Sequence, residues 1–274
     1  RAAEDSVGEE LPQPQSRDDE HRVVLVALEA RAEDEGEDHR VDREQQQRVQ
    51  ERPEEAEKGG AVARIEPIED GPLRYRRGTD PDTRGTLRDA DRAEMPIRDS
   101  VLLCRCGASA RKPFCDGSHV DAGFSSERRW KAGAGSTIDH HGAHITIHDN
   151  RVLCAHVEYC VTELPAVFDR SRRPWIDADA ASVEEIVAIC EKCPSGALSY
   201  SIDGVPGTLP ERAAAIIASA EGPYFVEGDI AVIDENLPEG SAPGHCTLCR
   251  CGASRNKPLC DGKHHDVGFD GRSG

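Results

Sequence analysis

One stretch of this chain occurs twice, and that repeat constrains the fold more than any other feature. Residues 104–124 read CRCGASARKPFCDGSHVDAGF, residues 249–269 read CRCGASRNKPLCDGKHHDVGF, and 15 of the 21 positions are identical. The likeness extends upstream: Ile65 lies six residues before Gly71-Pro72, and Ile216 lies six before Gly222-Pro223. Each Gly-Pro precedes a run that fits a strand, Leu73–Arg76 and Tyr224–Val226. A whole domain is therefore expected twice, over residues 61–135 and 208–274, with a different unit at 136–203 between the copies. Only 37% of the 274 residues are hydrophobic and 4% aromatic, too few for one large core, so small domains held together by something besides apolar burial are expected.

Each copy presents three cysteines and a histidine at the same spacing: Cys104, Cys106, Cys115 and His119, then Cys249, Cys251, Cys260 and His264. In extended chain, cysteines two apart project to one face, and Gly107 or Gly252 directly after them lets the backbone turn. The Asp-Gly after the third cysteine signals a turn or helix start, which lets Cys115 and His119 meet on one face. Three thiolates and an imidazole suit zinc or an iron–sulfur cluster. Zinc ribbons and fingers usually separate paired cysteines by two to four residues. Here one residue separates them, which tilts the reading toward a cluster and leaves zinc open.

These residues resemble the CDGSH iron–sulfur (NEET) family, whose pattern C-x-C-x2-S-x3-P-x-C-D-G-x-H is met at every fixed position. The first copy supplies Cys104, Cys106, Ser109, Pro113, Cys115, Asp116, Gly117 and His119; the second supplies Cys249, Cys251, Ser254, Pro258, Cys260, Asp261, Gly262 and His264. The resemblance implies a [2Fe-2S] cluster on three Cys and one His in each copy. It also implies that the two domains pair as an intramolecular pseudo-two-fold β unit. The copies depart at Lys263, which replaces Ser118; a cation there would favour a reduced cluster unless it points to water.

The middle unit carries Cys154, Cys160, Cys190 and Cys193 and looks helical. Ser182 with Glu185 forms a capping box, and Val183, Ile186, Val187 and Cys190 follow at helical spacing, so a helix ending near Pro194 is expected, with Cys190 on its buried side. Residues 197–202 fit a returning strand. Spacing alone leaves a ferredoxin-type cluster and a four-cysteine zinc site even. The stretches Arg151–Phe168, Arg173–Ile176 and Cys193–Leu198 resemble the divergent ferredoxin-like 4Fe–4S mono-cluster domain. That resemblance implies a [4Fe-4S] cluster on the four cysteines, with [3Fe-4S] as the variant form.

The expected fold class is thus small α+β and β-rich: two paired CDGSH domains, a small α/β ferredoxin-like cluster domain, and an acidic N-terminal tail over residues 1–60 that is too polar to fold. A short helix near Arg22–Ala32 is the one element that tail suggests. The net charge of −18, over half of it in residues 1–60, argues against nucleic acid and anionic membrane as partners. Apolar runs are too short to span a bilayer, and the opening residues do not read as a secretory leader. The expectation is therefore a cytoplasmic protein with reduced thiols, monomeric with an internal pseudo-dimer.

Of eleven cysteines, Cys246 is left over and reads as a free or buried thiol. His140, His141 and His144 lack the context of a metal site and read as solvated linker, while Trp130 and Trp175 read as packing residues. No substrate chemistry is expected. The reading is one-electron transfer or redox sensing with a ferredoxin- or flavoprotein-like partner. The alternatives are storage and transfer of clusters to an apo iron–sulfur acceptor, and a structural zinc module. Neutral imidazole in place of thiolate raises potential, so electrons are expected to run from the middle site to the duplicated pair.

Overall fold

The computed structural model describes residues 62–130, 137–235, 237–242 and 244–272; the expected acidic tail and the helix near Arg22–Ala32 lie outside the described residues. The first repeat forms β1 (Ala63–Pro67), β2 (Leu73–Arg76), β3 (Thr86–Arg88), β4 (Glu94–Met95) and β5 (Ser100–Leu103). The middle unit comes next with β6 (Thr137–His141), β7 (Ile145–Asn150), α1 (Tyr159–Glu163), α2 (Val183–Lys192), β8 (Leu198–Ile202) and β9 (Val205–Pro206). The second repeat gives β10 (Ala215–Ala218), β11 (Tyr224–Glu227), β12 (Ile230–Val232), β13 (His245–Leu248) and α3 (Lys263–Asp266). The protein is small, β-rich and poor in helix, and both strands expected after the Gly-Pro pairs form.

The repeats exchange strands. One sheet runs β12-β1-β2-β5 and the other β13-β11-β10-β3-β4. In each, an antiparallel hairpin of one copy (β1–β2 or β10–β11) takes a parallel strand from the other copy: Ile65 lies opposite Val232, and Ile216 opposite Leu87. Alternation explains the inward faces. Ala63 and Ile65 are buried on β1, while Arg64 and Glu66 face outward and pair at 3.2 Å. The result is one shared core, with Ile65, Tyr75 and Leu103 from one copy packed with Ile216, Tyr224 and Leu248 from the other.

The middle unit is not chiefly helical, which corrects the sequence expectation. It is a four-stranded antiparallel sheet, β6-β7-β8-β9, with α2 packed on it. His140 and His141 sit in β6 and His144 in the turn to β7, so the expected linker is a hairpin. Ile145 and Ile147 explain this: they alternate inward on β7 and are buried against Phe168, Ile186 and Leu198. Helix α2 forms as expected. Ser182 caps it, Glu185 closes the box, and Ile186, Ile189 and Cys190 are its buried face.

Candidate metal centres

Each CDGSH-like loop hangs from the end of a strand and is closed on it by backbone bonds. Cys104 N–H donates to Pro113 O at 2.8 Å and Cys115 N–H to Leu102 O at 2.8 Å. In the second copy Cys249 N–H donates to Pro258 O at 2.8 Å and Cys260 N–H to Thr247 O at 2.9 Å. The motif's other polar residues shape the loop. Ser109 donates to Phe114 O at 2.7 Å, and Asp116 accepts from the Ala110 and Ser118 N–H groups at 2.9 and 3.1 Å. Ser254 and Asp261 repeat this with Leu259 O at 2.7 Å, Arg255 N–H at 2.9 Å and Lys263 N–H at 3.2 Å. The Ser118 hydroxyl and the backbone donors hold the Asp116 carboxyl well below its ordinary value.

The candidate donors approach one another in twos. Cys104 and Cys106 sulfurs are 3.6 Å apart, and Cys115 Sγ lies 3.5 Å from His119 Nδ1. In the second copy Cys249 and Cys251 are 3.8 Å apart, and Cys260 Sγ lies 3.3 Å from His264 Nδ1. Among the described residues no three His, Cys, Asp or Glu side chains gather as a single ion would need. A two-and-two donor set fits a two-metal cluster, each pair serving one metal, better than it fits one tetrahedral zinc.

Within each Cys-x-Cys pair one thiol is acidified by the hydrogen bond from the other. Cys104 is lowered to about 5 in the first copy, Cys251 is lowered in the second, and the partners are held protonated. Metal binding requires both thiols of a pair as thiolates and so displaces whatever protons they hold. Burial, and then neighbouring His265, lowers the His264 imidazole to about 4, leaving it in the neutral form that binds metal.

The middle four cysteines are carried by neighbouring elements of one unit. Cys154 lies just after β7; Cys160 lies in α1; Cys190 is in the last turn of α2, and Cys193 is its C-cap residue. Between the first two the chain turns through left-handed His156 and Glu158, at φ 54° and 70°. Lys192 ties α2 to Glu163 of α1 at 2.6 Å. Three of these cysteines, Cys154, Cys160 and Cys193, line one small cavity. Burial raises the Cys154 and Cys190 thiols and lifts Cys160 to about 11, and the neighbouring Cys193 sulfur raises each further. These mutually repelling thiols cannot ionise together without a cation, so the donor chemistry fits a thiolate-held cluster.

Arg105 and Arg250, the middle residues of each Cys-Arg-Cys, were missed by the sequence reading. Both are 3% exposed. Arg105 donates from Nε to Gly71 O at 2.7 Å and also bonds Ile68 O; Arg250 donates to Gly271 O at 2.8 Å and also bonds Ser219 O. They bind the metal loops to the Gly-Pro turns, and their identity in both copies was the signal available. The Lys263 ammonium pairs with Asp266 at the surface. Cys246 is buried in the shared core, and burial lifts its thiol to about 12. Trp175 packs on Phe168 with ring centres 5.8 Å apart and donates to Asp149 at 3.2 Å.

Comparison with known proteins gives two families. The family described as "Iron-binding zinc finger CDGSH type" matches residues 70–120 and 221–265. The "Divergent 4Fe-4S mono-cluster" family matches residues 140–203. Over 59 residues the chain is 37% identical to "Uncharacterized protein YjdI" of Escherichia coli (strain K12), a match spanning 22% of this chain and 78% of that protein. The protein of the same name from Escherichia coli O157:H7 matches to the same extent. No solved structure matches.

Proposed function

From the premise that this chain belongs to the CDGSH-type iron-binding proteins and carries a divergent 4Fe-4S mono-cluster domain between its two CDGSH segments, we propose that it is a one-electron carrier or redox sensor. Its centres are two [2Fe-2S] clusters and one [4Fe-4S] cluster. Cys104, Cys106, Cys115 and His119 hold the first, Cys249, Cys251, Cys260 and His264 the second, and Cys154, Cys160, Cys190 and Cys193 the third. The observation that carries this reading is the two-and-two approach of sulfur and imidazole donors, 3.3–3.8 Å apart within each pair, in both copies.

When bound, such clusters supply one-electron exchange, the His-ligated centres at the higher potential. The chain's own residues do the rest. Ser109, Asp116, Ser254 and Asp261 set the loops, Arg105 and Arg250 brace them, and burial keeps His264 neutral. The reciprocal parallel pairing of β1 with β12 and of β10 with β3 supports a pseudo-two-fold unit within one chain. The proposed partners are ferredoxin- or flavin-type proteins. Among the described residues no helix is long and apolar enough to cross a membrane.

Anaerobic purification with iron and sulfide analysis, then EPR-monitored redox titration, tests the reading. The expected outcome is a brown protein with a low-potential all-cysteine centre and two centres at higher potential. A folded, colourless, zinc-loaded protein overturns it. Quantitative cluster delivery to an apo-ferredoxin without redox turnover moves the protein to the storage class.

A further inference from the structure

Over the repeated 21-residue stretch the two copies differ at six positions, and four of these, in the second copy, line one cleft. Arg255, Asn256, Lys263 and His265, where the first copy has Ala110, Arg111, Ser118 and Val120, border a cleft of about 390 Å³ that is also lined by Cys154 and His156 of the middle unit. Asn256 donates 2.8 Å to Val152 O in a buried bond, and His265 Nε2 lies 2.8 Å from His156 O. Gly262 presses on His156 so closely that a methyl group there would stand 2.7 Å from the ring, whereas one on Gly117 would meet nothing within 4 Å.

The result is unequal burial of equal motifs. Cys260 and His264 are 1% and 4% exposed, while Cys115 and His119 remain partly exposed. The other edges of the two sites meet back to back. The backbones of Cys106 and Cys251 pair in an isolated antiparallel β-bridge, and a methyl on Gly107 or Gly252 would fall 2.7 or 2.4 Å from the opposing carbonyl oxygen.

We infer that the three sites are strung in one line: the middle site against the Cys260–His264 edge of the second CDGSH site, and that site's Cys249–Cys251 edge against the first. The second site is then an interior relay and the first is the port toward outside partners. This rests on the ligand sets proposed above. With clusters bound, Cys154, Cys160, Cys190 and Cys193 would hold the centre that accepts one electron from a donor of the flavin or ferredoxin class. The residues of the second and then the first CDGSH site would hold the centres to which that electron passes, each loss of one electron matched by a gain of one, with no bond or proton moved.

The test uses the full chain, loaded anaerobically, assayed for iron and sulfide and frozen for EPR after complete dithionite reduction. H119C and H264C assign the two CDGSH signals by shifting one at a time, and C190A empties the middle site. The expected result is magnetic broadening of the second signal by the middle centre, lost in C190A, with no direct effect of the middle centre on the first. G262A and G117A make a matched pair, since both impose a side chain at positive φ and only the former displaces His156. Only G262A should weaken the interaction. If G262A fails to load, the wild type against C190A decides. Iron-loaded protein whose three signals add as isolated spectra, or whose first signal rather than its second is the one sharpened by C190A, overturns the line while leaving the proposed function standing. Protein without iron and sulfide overturns both.

Discussion

Tyr75 and Tyr224 are both fully buried in the shared core, and the fold treats their hydroxyls differently. Tyr224 lies 2.8 Å from Cys104 O and 2.9 Å from Pro113 O, bonding the second copy to the metal loop of the first. The Tyr75 hydroxyl has no hydrogen-bond partner among the described residues. A buried neutral bond is worth about 1 kcal/mol, and an unmet buried group costs about 1–3 kcal/mol. Tyr224→Phe should therefore lower stability in urea by about 1 kcal/mol, whereas Tyr75→Phe should leave it unchanged or raise it. Burial pushes the Tyr75 phenol up to about 12. Because the folded value exceeds the unfolded one, its contribution is complete below about pH 10 and is lost as pH rises toward the folded value. Tyr75→Phe should flatten the alkaline fall by about 1.4 kcal/mol per pH unit in that window, read from urea midpoints; an unchanged slope refutes the assignment. Two further residues mark the limit of sequence reasoning at this scale. The candidate cysteines and histidines stand out in the sequence because the repeat displays them twice. Arg105 and Arg250 were repeated just as faithfully, but a buried arginine holding backbone carbonyls looks no different in sequence from an exposed one.

Helix α2 is the element on which the middle site depends, because it carries Cys190 and ends at Cys193. Its start is fixed by a reciprocal box: Ser182 Oγ accepts from Glu185 N–H at 3.3 Å, and Glu185 Oε2 accepts from Ser182 N–H at 3.0 Å. Ser182→Ala should cost about 1 kcal/mol in the thermal or urea unfolding of the middle unit, with Ser182→Thr restoring most of it. The near-ultraviolet and visible signals of the two CDGSH segments should stay unchanged; parallel loss of all signals would show that the helix is not independent of them. This helix was readable because cap, apolar spacing and Pro194 agree. The β6–β7 hairpin was not, since its apolar residues are few and the histidines around Gly142 resemble a solvated connection. Strands β3 and β12 were hidden for another reason. They are three residues each, and their parallel partners lie more than a hundred residues away, so only the tertiary context makes them strands.

For the molecule as a whole, the stability of the parts should differ when metal is removed. The two CDGSH segments share a core to which both contribute, and each sheet contains a strand of the other copy, so neither can open without disturbing its partner. The middle unit has its own smaller core around Ile147, Phe168 and Ile186. A unit of that size rarely gains more than about 3–5 kcal/mol from apolar burial. Four thiols, two of them strongly raised by burial and mutual repulsion, subtract from that gain once the metal is gone, and metal-binding energy in such a unit is largely folding energy. Anaerobic chelation and then hydrogen exchange should therefore expose amides of residues 137–203 first, while β1, β2, β10 and β11 stay protected. The buried Asn256–Val152 bond decides which CDGSH loop loosens next: the loop of the second copy is tied to the middle unit and loses that partner when the unit opens. Amides around His264 should accordingly exchange ahead of those around His119, reversing the order expected from their burial in the intact protein. Equal exchange in both copies would mean that the middle unit covers the second site without supporting it.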